Sequence, residues 1–154
     1  MKPIINRRGN ALVEFIPMEN EKTLEQIVHS PLTASLVIAE YKGSVLLVLN
    51  KYKQHWEFPG GTIEACESPR ECAIRELMEE SGQTSKELDF AGVAKIRMKD
   101  GTITFATIYS CHLQSIHSFQ ANDEIGMILF WDFSSDIGYM DEIVRYLAAL
   151  IIRH

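Results

Sequence analysis

The stretch Gly60–Gly82, GGTIEACESPRECAIRELMEESG, places Glu76, Glu79 and Glu80 within five positions, next to Arg75 and downstream of a Gly60-Gly61 pair. On a helix, Glu76 stands at i,i+3 and i,i+4 from Glu79 and Glu80, and each such like-charge pair costs roughly 0.2–0.5 kcal/mol. Glu79 and Glu80 also fall in the last turn, where the helix dipole is already negative. A face of this kind is either merely solvated or serves a local cation, through which an acidic protein can recruit phosphate. The glycine pair favours the second use. It permits close backbone approach and follows Trp56-Glu57-Phe58-Pro59, an aromatic run suited to anchoring a loop.

Positioning these carboxylates falls to a helix whose ends are marked in the sequence. Ser68-Pro69-Arg70-Glu71 is a capping box with proline at the first helical position, and Gly82 supplies the C-terminal stop, so a helix is predicted over 69–81. Its period expects Ala73, Ile74, Leu77 and Met78 to face the core, with the glutamates on another side. Leu32–Asn50 reads as two apolar runs about a Lys42-Gly43 turn, and Leu88–Leu113 as two more about Asp100-Gly101, both hairpin signals. Ile125–Phe133 is a further strand. Gly138–Arg153 is expected to be a closing helix that buries Val144, Leu147, Ala148 and Ile151. Strands interleaved with two helices and joined by tight turns imply an α/β fold, a mixed sheet with a helix against each face.

With 154 residues, 46% of them hydrophobic, the chain fits a single domain spanning 1–154, with the role of residues 1–30 left open. A formal charge of −6 argues against a broad grip on nucleic acid or acidic membrane, since those partners want a basic face. Cys66, Cys72 and Cys111 form no Cys-x-x-Cys pair, and an odd count suits a reducing compartment better than a disulfide framework. No apolar run is long enough for a signal peptide or a membrane span, so the expected location is the cytoplasm.

Gly61, Glu67, Arg75, Glu76, Leu77, Glu79, Glu80 and Gly82 fall in register with G-x5-E-x7-R-E-U-x-E-E-x-G-U, where U is a bulky aliphatic. The chain thereby resembles the Nudix hydrolases, and the likeness in strand and helix pattern extends from about Leu32 onward. One position departs, since Gln83 stands where the motif closes on an aliphatic. The resemblance implies an α/β/α sandwich and a hydrolase that cleaves a nucleoside diphosphate linked to another moiety with the help of Mg²⁺ or Mn²⁺. That requirement agrees with the chemistry of hard cations, which take carboxylate and phosphate oxygens.

Carried onto this sequence, the resemblance implies Glu79 and Glu80 as metal ligands and Glu76 as a further ligand or the catalytic base. The Gly60 carbonyl adds an oxygen, Arg75 orients a glutamate through a bidentate pair, and Glu67 braces the loop that begins at Gly61. Ala121-Asn122-Asp123-Glu124-Ile125 resembles an acidic segment of nucleotide-sanitising members, which makes Glu124 a candidate ligand or base on a loop free to close, with Asp123 as its substitute. His29, His55, His112 and His117 lack ligand spacing. Cys72 projects toward the glutamates but, being soft, is expected to pack rather than bind Mg²⁺. Trp56, Phe58, Tyr109, Phe119 and Trp131 could stack on a base, though core packing is the simpler use of each.

Marks of the ADP-sugar, dinucleoside polyphosphate and coenzyme A subfamilies are missing. The expected substrate is therefore a nucleoside triphosphate, oxidised guanine nucleotides included, cut to monophosphate and pyrophosphate. A nucleotide sugar, or a nucleotide-binding module without turnover, is the alternative. The expected partner is a small nucleotide, without stable nucleic acid or membrane, and a homodimer stays open.

Overall fold

The computed structural model describes residues 1–24 and 32–152. Nine strands among them form one sheet: β1 (Ile4–Ile5), β2 (Ala11–Pro17), β3 (Leu32–Tyr41), β4 (Ser44–Asn50), β5 (His55–Glu57), β6 (Gly60–Thr62), β7 (Asp89–Arg97), β8 (Ile103–His112) and β9 (Ile125–Trp131). Their order is β1-β2-β7-β8-β3-β4-β5, with β6 beside β3 and β9 beside β4. The β3–β8 pair is parallel and the other named pairs are antiparallel, so the sheet is mixed as expected. Helices α1 (Pro69–Ser81) and α2 (Glu142–Ile152) cover opposite faces.

Alternation along the strands assigns the two cores. Ile38, Leu47 and Ile108 pack with Trp56 and Phe58 against Ile143, Val144, Leu147 and Ala148 of α2. Val37, Ala39, Leu46 and Tyr109 point the other way, to Ala73 and Leu77 of α1. In β4, Val45 to Val48 are all fully buried, as a central strand covered on both faces requires.

Lys42 and Gly43 both have positive φ, the geometry of a tight hairpin turn between β3 and β4. That hairpin keeps only two paired positions, Glu40–Val45 and Tyr41–Ser44, before its strands part. Beyond the split, β6 lines up on β3 (Leu36 opposite Gly60) and β5 on β4 (Val48 opposite Glu57), while β9 runs along the other edge of β4 (Val45 opposite Trp131). The glycine pair is thus part of a strand at a break in the sheet.

Two helical expectations change. On α1, Ile74 and Met78 are each 49% exposed, and the inward face is instead Cys72, Ala73, Leu77, Glu80 and Ser81. The helix is rolled so that its carboxylates meet β6, an arrangement invisible to apolar periodicity alone. α2 starts at Glu142 rather than Gly138, because Asp141 caps it, and Ile151 is only half-buried.

The first twenty-four residues are integral to the fold. β2 pairs with β7 and carries β1 on its outer edge. Farther on, the Glu21 carboxylate accepts from the Tyr109 hydroxyl at 2.9 Å and from Arg70 at 2.7 Å, tying the segment to the sheet and to the start of α1.

Candidate functional site

The capping box forms as expected, with Ser68 Oγ accepting from the Glu71 amide at 3.1 Å and Glu71 accepting from the Ser68 amide at 2.9 Å. With the helix start so fixed, Arg75 projects into the glutamates. Its Nε and Nη2 donate to the two oxygens of Glu67 at 2.7 and 3.0 Å, a bidentate pair. Its Nη1 donates to Glu76 at 2.7 Å and to Glu79 at 3.1 Å, and its Nη2 also reaches the Thr62 carbonyl at 3.2 Å. Hydrogen bonds from Arg75 hold the Glu67 carboxyl down at about 2, and these pairings raise the Arg75 pKa in turn. A single guanidinium thereby fixes the loop after β6 and two of the three helix glutamates.

Backbone requires glycine at position 60, and a side chain at position 61 would displace the Glu76 carboxylate. A Cβ on Gly61 would sit 2.7 Å from Glu76 Oε1, and one on Gly60 would collide with the Ser35 carbonyl and Leu36. The closeness lets the Gly60 amide donate to Glu80 Oε1 at 2.8 Å, so Gly60 meets the cluster through its N–H. Glu80 is 3% exposed. Burial pushes its carboxyl up to about 9, the Gly60 amide opposes that shift, and the charges of Glu76, Glu124 and Glu57 add to it. Burial likewise raises Glu76 against the pull of Arg75, with Glu79 and Glu124 adding to the rise. Cys72 is fully buried beneath the glycine strand, and burial foremost, then the Glu67 charge, lifts its thiol to about 11. It packs as a neutral thiol.

Beside this cluster a cleft of about 670 Å³ runs across the α2 face of the sheet. Glu57, Gly60, Gly61, Glu76 and Glu124 line it toward β5 and β6, whereas Ile96, Met98 and Ala106 line it toward β7 and β8. Of the aromatic candidates, Phe58 alone among the described residues reaches the cleft. Trp56 and Trp131 are core residues whose indole N–H groups donate to the Ile137 and Ser135 carbonyls. Tyr109 belongs to the α1-face core.

Glu124 lies at the cleft's edge, but on a backbone anchored at both sides rather than on a free loop. Its amide donates to Asn122 Oδ1 at 2.9 Å and its carbonyl accepts from Lys51 at 2.8 Å. Asn122 also donates to the Glu79 carbonyl at 3.2 Å. The motif's departing residue adds a second clamp. Gln83, fully buried, donates to the His117 carbonyl at 2.7 Å and accepts from the His117 amide at 2.8 Å. The amide mimics a strand partner, a contact an aliphatic side chain could not make. Asp123 lines a smaller outer chamber of about 370 Å³ shared with Arg8, Tyr52, Lys53 and Glu124, and does not line the main cleft.

Three lining residues escape a reading of the motif. Glu57 accepts from His55 at 2.9 Å, Asn50 at 3.1 Å and Lys53 at 3.4 Å. Although burial alone would raise its carboxyl, these partners lower it. Asn6 and Asp141 enter the cleft from opposite ends of the chain and are bonded to each other at 2.8 Å. Their separation of 135 residues left no local signal to find. Among the histidines, His55 is buried on Glu57 and His112 pairs with Glu40 at 2.6 Å, while His29 lies outside the described residues.

The donor set suits a hard divalent cation in type, being carboxylate oxygen throughout, with two carboxyls driven toward neutrality by burial and mutual charge. Among the described residues no three acidic, His or Cys side chains converge on one point as a finished cage. Arg75 and the Gly60 amide occupy the oxygens that would have to turn inward.

Residues 29–133 match the NUDIX domain. The Bacillus subtilis protein YtkD is 31% identical over 103 residues, 66% of this chain and 63% of that protein. The 8-oxo-dGTP diphosphatase of Proteus vulgaris is 40% identical over 53 residues, 32% of this chain and 47% of that enzyme. The chain thus spans less than two thirds of either relative's length. Among solved structures, a Bacillus subtilis pyrophosphohydrolase superposes with a TM-score of 0.68 at 20% identity, covering 94% of this chain and 89% of that one. A MutT NUDIX hydrolase from Burkholderia pseudomallei gives 0.68 at 18% identity, covering 80% and 99%.

Proposed function

Because the chain belongs to the Nudix family, we propose that it is a divalent-metal-dependent hydrolase of nucleoside diphosphate-X compounds, acting on a nucleoside triphosphate to give monophosphate and pyrophosphate. One observation carries this reading: the α1 carboxylates meet the Gly60-Gly61 strand at one side of a cleft whose floor, toward β7 and β8, is apolar but for Thr104. Such a cleft offers a charged side for a phosphate chain and an apolar side for a base. Glu76, Glu79 and Glu80, with the Gly60 carbonyl, would hold Mg²⁺ or Mn²⁺. The cation, when bound, neutralises phosphate charge and acidifies water.

The chain's own residues then divide the remaining work. Arg75 keeps Glu76 and Glu79 oriented, and Glu67 keeps Arg75 oriented. Glu124 takes the proton of the attacking water. Its carboxylate has no hydrogen-bond partner among the described residues, whereas Glu76 is held by Arg75 at 2.7 Å and packs against Gly61. Gln83 and Asn122 hold the segment that carries Glu124 against the end of α1.

The outer chamber, with Arg8 beyond Glu124, favours as a second reading a substrate whose leaving group is longer than pyrophosphate, such as a nucleotide sugar. Turnover of a nucleotide panel with Mg²⁺, products separated by chromatography, tests both. Monophosphate and pyrophosphate from triphosphates support the first reading. Cleavage confined to nucleotide sugars supports the second, and no turnover of any member refutes the enzyme.

A further inference from the structure

The turn between β1 and β2 lies outside the residues that match the family, yet it carries a side chain that reaches across the molecule. The turn closes on itself, the Asn6 amide donating to the Asn10 carbonyl at 2.9 Å and the Gly9 amide to the Asn6 carbonyl at 3.0 Å. Arg7, within it, is held at three points. Its amide donates to the Tyr139 hydroxyl at 3.2 Å and to Glu142 Oε1 at 3.1 Å, and those two groups are themselves joined at 2.6 Å. Its guanidinium carbon lies 3.7 Å from the centre of the Tyr139 ring, a cation over an aromatic face. From there Nη2 donates to the Lys53 carbonyl at 3.4 Å. Arg7 thus spans from the start of α2 to residues 51–54, the turn between β4 and β5.

That turn organises the acidic side of the cleft. Asn50 Oδ1 accepts from the Tyr52 and Lys53 amides at 2.9 and 3.0 Å, and the Asn50 carbonyl accepts from the Gln54 amide at 2.8 Å. Asn50 and Lys53 both donate to Glu57, while the Lys51 amide donates to the Glu124 carbonyl at 2.8 Å. Gln54 closes the turn with a φ of 54°, a left-handed geometry unfavourable to any residue but glycine. Contacts from outside are therefore needed to keep the turn shut. Among the described residues, the one hydrogen bond that reaches residues 52–54 from beyond 50–57 is that of Arg7. We propose that Arg7 is a positioning residue: by pinning this turn to the start of α2, it keeps the Lys51 amide on the Glu124 carbonyl and fixes the backbone from which Glu124 faces the cleft. The proposal deepens the reading of Glu124 as the base and rests on it for its effect on turnover. A guanidinium suits the task because it is planar, covering a ring with its face while donating from its rim. An ammonium is a compact point charge and cannot do both.

Amide hydrogen exchange, followed by NMR in the metal-free protein, reads this linkage without turnover. In Arg7→Ala the Lys51 amide should exchange about 5-fold or more faster, the scale of one net hydrogen bond, while amides at the centres of β3 and β8 keep their rates. Arg7→Lys should resemble Arg7→Ala. With a triphosphate as substrate, Arg7→Ala should lower kcat by a similar factor, leave KM within a few fold, and add little to the loss in Glu124→Gln. An unchanged Lys51 amide overturns the proposal, as does acceleration that extends equally to β3 and β8, the mark of general destabilisation. Wild-type behaviour in Arg7→Lys, which would reduce the contact to charge, also overturns it, as do equal kcat losses with and without Glu124. If Lys51 responds selectively in both variants while Glu124→Gln is fully active, the tether stands and the reading of Glu124 as the base alone fails.

Discussion

Replacing Glu80 by glutamine should stabilise the metal-free protein, and the effect should grow with pH. Glu80 has an ordinary value of 4.5 and is pushed up to about 9 in the fold, chiefly by burial. The sign follows from linkage: below 4.5 the carboxyl is protonated in both folded and unfolded chains and imposes nothing. Between 4.5 and about 9 the folded chain holds a proton that the unfolded chain has released, so stability falls as pH rises, and above about 9 the loss is complete. At pH 7.5, three units above the ordinary value, the loss is bounded at about 4 kcal/mol, taking 1.36 kcal/mol per unit. Glutamine keeps the size and still accepts from the Gly60 amide, so the variant escapes the titration while retaining that bond.

Thermal unfolding with a chelator at pH 5 and pH 8 measures this directly. The two proteins should differ little at pH 5, and at pH 8 the variant should melt several degrees higher, given roughly 2–4 °C per kcal/mol for a chain of this size. Added Mg²⁺ should raise the wild type by mass action and the variant far less. A variant no more stable than the wild type at pH 8, with the same slope against pH, would refute the assignment of a buried, charge-frustrated Glu80.

Three further outcomes follow from the same geometry. Glu124→Gln should lower kcat by ~100-fold or more while leaving KM within a few fold, the pattern of a group acting mainly in the transition state. A fully active Glu124→Gln beside an inactive Glu76→Gln would transfer the base to Glu76. The Arg75–Glu67 pair should weaken as pH falls from 4.5 to about 2, since a depressed carboxyl contributes its stability above the unfolded value. Glu67→Gln should show a flatter acid unfolding curve than the wild type, and parallel curves would contradict the pairing. Gln83→Leu leaves the His117 amide and carbonyl without their side-chain partner and should cut kcat in the wild-type background yet little further in Glu124→Gln. Equal losses in both backgrounds would show that Gln83 does not act through Glu124.

What the sequence revealed was whatever depended on near neighbours. The α1 boundaries came from Ser68, Glu71 and Gly82, whose caps close within one turn, and they stand in the structure at Pro69–Ser81. The Lys42-Gly43 turn was legible because glycine takes one of the two positive φ angles that such a turn requires. The roll of α1 was not, because it depends on the Gly60 amide, twenty positions upstream, donating to Glu80 and so holding it inward. An apolar count therefore assigned Ile74 and Met78 to the core when both are half-exposed. The anchored state of Glu124 was hidden in part, since the Lys51 amide, distant in sequence, holds its carbonyl through a backbone group that carries no residue signature, whereas Asn122 holds its amide through the side-chain Oδ1. Gln83 was visible as a departure from the motif, but its meaning needed the position of His117, thirty-four residues away.

The charge inventory of the cleft sets the order in which it can be filled. Glu57, Glu64, Glu76, Glu124 and Asp141 line it, with Lys53 the basic side chain among its lining residues. Lys53 is already turned to Glu57 at 3.4 Å, and Arg75 is shared among Glu67, Glu76 and Glu79. Neither cation is free to meet an incoming phosphate. A triphosphate approaching this wall in the absence of added positive charge meets like charge at close range, where a partly buried setting screens poorly. An uncharged nucleoside meets no such barrier and can still reach the apolar floor. The two halves of the cleft should therefore be separable: nucleoside affinity should be insensitive to Mg²⁺, while triphosphate affinity should depend on it steeply. If Mg²⁺ strengthened nucleoside and triphosphate binding alike, the apolar floor and the carboxylate wall would have to be one coupled site.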